Sequence, residues 1–245
     1  MNPIEEFDRT KAENTRALGL DFDLQQRSLA WMLDTAKHSY SYNFTWLGIP
    51  IIQFPQDIVA LQEIIGAVKP DLIIETGVAH GGSILFSASM LELLGAGGEV
   101  IGIDIDIREH NRERIEAHPL ARRIRLIQGS SVASDVADQV RALAHGRKRI
   151  MVILDSNHTH EHVLKELELY APLVTRDSYL VVCDTTIEDA PEDFFPDRPW
   201  GKGNNPKTAV REFLQTSDRF VIDKEIEDKL LITVAREGYL RCVKD

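Results

Sequence analysis

Cysteine is nearly absent from this chain. Cys183 and Cys242 are its two cysteines, and neither belongs to a closely spaced pair. That argues against a disulfide framework and against a zinc–cysteine site. Clustered base is missing as well. The formal net charge is −11, and no block of Lys and Arg forms a footprint for phosphates. Duplex nucleic acid is therefore not an expected partner. No apolar run reaches the roughly 18–20 residues of a membrane span. The first residues, MNPIEEFDRTKAENT, are polar and acidic, unlike a secretory signal. No internal repeat or low-complexity tract is visible. These absences predict a soluble protein of the cytoplasm. At 245 residues, one domain with extensions is favoured over two.

What is present is concentrated at residues 70–84, PDLIIETGVAHGGSI. An apolar strand ends in an acid, Glu75. A turn containing Gly77, Gly81 and Gly82 follows, and a helical apolar pattern starts near Ile84. An α/β protein builds a ligand pocket in this way at the end of its first strand. The glycines permit a tight turn and a close approach of backbone to ligand. A second strand, Val100–Ile103, ends in Asp104, about where a ribose-binding acid falls, roughly 20 residues beyond the turn. Glu75 is placed to meet the ammonium of an amino-acid ligand. Backbone amides of the turn and Ser83 are placed to meet its carboxylate, aided by the helix N-terminus. Ser130 and Ser131, after the third strand, fall where an adenine would lie. A plain turn with a helix cap explains those two serines equally well. The spacing is G-x-x-x-G-G rather than G-x-G-x-x-G, which disfavours a dinucleotide, and no phosphate-cradling P-loop pattern occurs.

Strands are expected at Leu72–Glu75, Val100–Asp104, Ile124–Gln128, Ile150–Asp155, Tyr179–Asp184, Phe220–Ile222 and Leu230–Val234. Helices fall between the early ones, near 83–94, 108–117, 132–144 and 160–170. Alternation of this kind implies β-α-β units and a doubly wound, mostly parallel sheet. The last two strands are too close for a crossover helix, so an antiparallel C-terminal hairpin is expected. Residues 1–45 read as a helical cap with a helix near Leu24–Lys37, and 46–245 as the main domain. Gly48–Pro55 reads as a loop, and Pro55 with Asp57 as the opening of a helix running to Val68.

A second constellation is ILDSNHTH, residues 153–160. Asp155 ends one strand and Asp184 ends the next, and neighbouring strands lie about 5 Å apart. Carboxylates that close repel unless a cation or proton lies between them. Oxygen donors of this type suit Mg²⁺. The plainer alternative is that one acid caps a helix while the other stays solvated. His158 is the candidate general base, since imidazole exchanges protons near neutral pH. His160 and His162 ride on the following helix and receive no role. Residues 185–208 form a long acidic, Pro- and Gly-rich stretch whose Phe194, Phe195 and Trp200 could cover an acceptor or pack on a neighbouring subunit.

The blocks IETGVAHGGSI, VIGIDIDIR, ILDSNHTHEHVLKELELYAPLV and RPWGKGNNPKTAV resemble the cephalosporin hydroxylase-like family of class I methyltransferases. That family includes rhamnosyl O-methyltransferases. The resemblance covers about residues 45–240. It implies a seven-stranded sheet, S-adenosylmethionine at the glycine turn and a divalent cation, usually Mg²⁺, beside it. Asp155 and Asp184 match two metal ligands, and His158 matches a base. It further implies a small hydroxylated acceptor, a sugar or polyhydroxylated metabolite. The cap and aromatic stretch suggest a homo-oligomer. Two departures stand out: Cys183 occupies a place where many relatives carry an acid, and Ser156 replaces an acid found in some. They motivate a competing reading, a non-catalytic S-adenosylmethionine-binding protein.

Overall fold

The computed structural model describes residues 2–95 and 97–245. Two helices lead: α1 (Pro3–Leu20) and α2 (Phe22–Ala36). Two short strands follow, β1 (Phe44–Trp46) and β2 (Ile49–Ile51), then α3 (Pro55–Val68) and β3 (Leu72–Thr76). The alternating body comprises α4 (Gly82–Leu93), β4 (Glu99–Asp104), α5 (Glu109–Glu116), β5 (Ile124–Gln128), α6 (Ser134–Ala144), β6 (Ile150–Leu154), α7 (His160–Tyr170) and β7 (Tyr179–Val182). The chain closes with α8 (Pro206–Thr216), β8 (Phe220–Ile222), α9 (Lys224–Leu230) and β9 (Tyr239–Cys242).

The main sheet has seven strands in the order β5-β4-β3-β6-β7-β9-β8. Strands β3 to β7 pair in parallel, and β9 runs antiparallel between β7 and β8. Alternate residues of each strand face opposite layers. On β3, Ile73 joins the core with α3 and α4, while Leu72 and Ile74 join the core with α6, α7 and α8. Both faces are covered, which explains near-continuous apolar runs such as IMVIL on β6, buried throughout.

Three sequence expectations change. The predicted strand Leu230–Val234 does not form. The acidic first turn and Lys229 near the end of KEIEDKL suit a helix dipole, and Lys224 pairs with Glu227 and Asp228, so Lys224–Leu230 is α9. Leu231 then has φ +60° and breaks the run. The antiparallel C-terminal pair survives with a later partner, β9. Gly48–Pro55 is not all loop. Leu47 (φ +49°) and Gly48 (φ +84°) form the two-residue turn of a β1–β2 hairpin. The N-terminal region holds two helices rather than one. None of the 18 residues of α1 is buried; the helix lies on the surface, packed along α9 and capped at its start by Asn2.

Candidate active site

Parallel pairing places the ends of β3, β4, β6 and β7 on one edge of the sheet. The ladder continues one step past the strands. Asp155 N donates to Thr76 O at 2.9 Å, and Cys183 N donates to Leu154 O at 2.9 Å. Alternation aims Glu75, Asp155 and Cys183 at the same layer as α3 and α4. Asp184 should then point the other way, but its backbone is left-handed (φ +56°). That turn brings its carboxylate back. Ligand atoms of Asp155, His158 and Asp184 all lie within 4.8 Å of one another. His158 Nε2 is 3.2 Å from Asp184 Oδ2, and its ring meets Trp200 edge-on at 4.8 Å between centroids.

These residues border a cavity of about 470 Å³. Its walls carry Gly77, Gly82 and Ser83 on one side and Tyr42, Phe194 and Trp200 on others. Burial raises Asp155 well above the usual carboxylate range, and the further charges acting on it (Asp184, Glu75, Glu166 and Asp57) are all acidic. Burial likewise pushes the Cys183 thiol up, with Asp155 and Asp184 adding to it, so it stays protonated beside the acids. Cys183 is not one of the three clustered donors.

The glycine turn is built by close approach. A Cβ on Gly77, at φ +92°, would lie 2.0 Å from the Asp155 carbonyl oxygen. One on Gly82 would lie 2.2 Å from the carbonyl of Pro50, so β2 seats directly on the start of α4. Asp104 Oδ2 accepts from Val78 N (2.8 Å) and Ala79 N (3.2 Å), and Oδ1 accepts from Asp106 N. The acid expected at a ribose therefore also braces the turn. Ser83 Oγ, expected toward a ligand carboxylate, instead donates to Glu75 Oε1. Glu75 Oε2 is buried with no partner.

Ser130 and Ser131 do not border the main cavity. The Ser131 hydroxyl is paired with His162 Nε2 at 3.1 Å, and its carbonyl accepts from Tyr170 OH at 2.6 Å. His162 also meets Ser156 Oγ, which donates to the fully buried Glu166. His160 Nδ1 pairs with Thr208 Oγ1, pinning α7 to α8. Both histidines ride on α7, as expected, and each has a partner within the fold.

The segment after Asp184 is tied down rather than loose. Lys207, 2% exposed, contacts Asp189 at 2.7 Å, and Asn204 and Asn205 hold the carbonyls of Pro199 and Gly201. Phe194, Phe195, Arg198 and Trp200 consequently face the cavity.

Two residues of the cavity wall were missed by sequence reasoning. Asp57, read as a helix opener, is buried and accepts from Tyr239 OH (2.9 Å) and Val234 N (3.1 Å). Its partners are distant in sequence, so no local pattern reveals them. Gln53 also borders the cavity. The available signal was a lone amide inside the apolar run IPIIQF.

Burial holds Glu75 up at about 7 against the ordinary 4.5, with Ser83 pulling the other way. A raised folded-state value means the native protein keeps a proton that the unfolded chain has released. Stability from this group is present below about 4.5 and is lost as pH rises toward about 7. The ligand-free protein should therefore lose stability between pH 5 and 8, and Glu75→Gln should flatten that slope. Urea denaturation at the two pH values checks it, and an unchanged slope in the variant would remove Glu75 as the source.

A seven-stranded sheet of this order, with an acid and a glycine turn closing its first parallel strand, is the class I methyltransferase architecture. The model of the rhamnosyl O-methyltransferase/CmcI family matches residues 38–243. A rhamnosyl O-methyltransferase of Mycobacterium leprae is 35% identical over 150 residues, 60% of this chain and 62% of that protein. One of Mycobacterium tuberculosis is 30% identical over 201 residues, 80% and 77% respectively. A solved structure of CmcI with Mg and SAM superposes with a TM-score of 0.56 at 20% identity, covering 83% of this chain and 78% of that one, a likeness of fold. The chain belongs to the rhamnosyl O-methyltransferase/CmcI family, and with it to the S-adenosylmethionine-dependent O-methyltransferases.

Proposed function

We propose that this chain methylates a hydroxyl of a sugar or polyhydroxylated metabolite, using S-adenosylmethionine, a divalent cation held by Asp155 and Asp184, and His158 as base. The carrying observation is the convergence of Asp155, His158 and Asp184 at the wall of the cavity. The residues fit both groups. Glu75 Oε2 is a buried acceptor awaiting a donor, which the ammonium of an amino-acid moiety supplies. Asp155 is surrounded by acids, and a cation relieves their repulsion. The mycobacterial relatives' name, rhamnosyl O-methyltransferase, agrees with a sugar hydroxyl as acceptor, and the Mg–SAM complex of CmcI agrees with that pair of groups.

When bound, S-adenosylmethionine supplies an electrophilic methyl group, and the cation makes a nearby hydroxyl more acidic. The remaining work falls to the chain. The Val78–His80 backbone and Asp104 form the cofactor side of the site, with Ser83 holding Glu75 in place. Ser130 and Ser131 form the loop over the adenine. The His158 imidazole takes the hydroxyl proton, and Asp184, whose Oδ2 lies 3.2 Å from its Nε2, stabilises the imidazolium that results. Trp200 fixes the His158 ring, and Phe194 and Phe195 exclude water. Residues 1–45 act as a cap, since Met32, Leu33 and Tyr42 reach the cavity. Exposed Ile4, Phe7, Leu20 and Phe22 support self-association of that cap. Two free, buried cysteines support a reducing compartment, the cytoplasm.

The test is calorimetry with S-adenosylmethionine, with Mg²⁺ and with a chelator, joined to turnover of a panel of glycosides. Cofactor binding in both conditions with Mg²⁺-stimulated methylation is the expected result. Asp155→Asn should keep cofactor binding and lose the Mg²⁺ stimulation. An intact metal response in that variant would sink the cation site, and binding without turnover of any hydroxylated acceptor would favour the accessory reading.

A further inference from the structure

Gln53 stands apart from the other polar groups on its wall of the cavity. It is 6% exposed, its Oε1 is buried, and its side chain has no hydrogen-bond partner among the described residues. A buried amide in that state destabilises the empty protein. Its position is nonetheless rigid. Ile51, two residues before it, is 1% exposed and seated against Gly82 at the start of α4. Phe54, the next residue, packs at a tilt against Tyr40 (5.6 Å between centroids) and Trp31 (6.3 Å). Asp57, one turn further on, already spends both carboxyl oxygens on Tyr239 and Val234. The amide is therefore the group on this segment with unused hydrogen-bonding capacity facing the cavity.

The chemistry of the amide selects its partner. A carboxylate or phosphate would use the NH₂ and leave Oε1 orphaned. An ammonium would use Oε1 alone, and Glu75 already offers that group a buried acceptor. A hydroxyl can donate to Oε1 or accept from the NH₂, and a polyol with neighbouring hydroxyls can supply one to each end of the amide. The remaining walls combine aliphatic Leu61 and Val181, aromatic Phe194 and Trp200, the acids Asp155 and Asp184, and one guanidinium, Arg198, a mixed surface that suits a ring carrying hydroxyls.

We infer that Gln53 is a specificity residue that binds a second hydroxyl of the acceptor, next to the one that is methylated. This rests on the acceptor reading above. A site built to pair a hydroxyl discriminates strongly against the analogue lacking it, because its own buried group is then left unpaired. Gln53 thereby sets which of several hydroxyls on a ring is presented to His158.

The experiment compares wild type with Gln53→Met, a substitution that keeps length and removes the amide. Three readouts are taken: melting temperature without ligands, affinity for S-adenosylmethionine, and turnover of p-nitrophenyl α-L-rhamnopyranoside and its three mono-deoxy analogues. The variant should melt higher, by about 2 °C or more, because an unpaired buried amide is gone. Its cofactor affinity should not change. On the parent rhamnoside its kcat/KM should fall at least about tenfold. Wild type should lose a similar factor on one deoxy analogue, and the variant should not distinguish that analogue from the parent. A lower melting temperature would make Gln53 structural, and weaker cofactor binding would give the amide to the cofactor; either overturns the inference. If wild type binds the cofactor yet methylates no rhamnoside, the sugar reading has failed by itself. The same kcat/KM comparison is then made on a hydroxylated acceptor that wild type does methylate, and an unchanged value there in Gln53→Met overturns the inference.

Discussion

His158→Ala is expected to lower methyl transfer by about 10²- to 10⁴-fold, the usual weight of a positioned general base. The geometry limits what else can do the job. Asp155 and Asp184 are the other donors of the cluster, and both are committed to the cation in the proposed arrangement. Cys183 is buried and held protonated by its surroundings. His160 and His162 are engaged with Thr208 and with Ser131, Ser156 and Glu166. Removing the imidazole also removes the edge-on contact with Trp200 and leaves Asp184 without its 3.2 Å contact. Cofactor affinity should be nearly unaffected, because the groups assigned to the cofactor lie on β3, β4 and the turns after β3, β4 and β5. The effect should therefore appear in kcat with little change in cofactor binding. Single-turnover assays at saturating cofactor test it, and turnover within about threefold of wild type would take the base role from His158.

The parts of this site that lie at strand ends were legible in the sequence, and the reason is physical. A parallel strand buried on both faces must read as an apolar run, and the first polar residue after it marks the ligand edge of the sheet. Glu75, Asp104, Asp155 and Asp184 all stand where that rule points, with the spacing from the glycine turn adding to the reading of Asp104 and the family resemblance to that of Asp155 and Asp184. The rule gives the edge but not the direction of each side chain. Only the left-handed backbone of Asp184 explains why its carboxylate joins Asp155. Contacts between distant segments were not legible. The bond from Tyr239 to Asp57 spans 182 residues, and nothing in the helical pattern of Pro55–Val68 reveals a carboxylate turned into the cavity. The apolar run near Leu231 misled because period and composition favoured a strand there. The structure satisfies its backbone otherwise: Val234 N donates to Asp57, and Val234 O accepts from Thr186 N.

Gly77→Ala is the substitution expected to damage the fold and the cofactor site together. Two separate costs meet at this position. One is conformational: φ is +92°, where an L side chain is strained by about 1–3 kcal/mol. The other is steric. The added methyl would lie 2.0 Å from the carbonyl oxygen and 2.6 Å from the carbonyl carbon of Asp155. Those are backbone atoms of the strand end that carries the proposed metal ligand, and they cannot swing aside as a side chain tip can. Either the turn retreats or Asp155 does, and both moves separate the cofactor side of the site from the cation side. Gly146→Ala is the matched control. Its φ is +80°, yet nothing lies within 4 Å of the added methyl, so it reports the conformational cost alone. Gly77→Ala should lose at least about 3 kcal/mol, a fall of roughly 6–12 °C in melting temperature for a domain of this size. Gly146→Ala should lose less, the conformational part alone, toward the lower end of about 1–3 kcal/mol. S-adenosylmethionine binding should disappear in the first variant and persist in the second. Equal losses in the two, with cofactor binding retained in both, would mean that the turn and the Asp155 strand end are not held together by this contact.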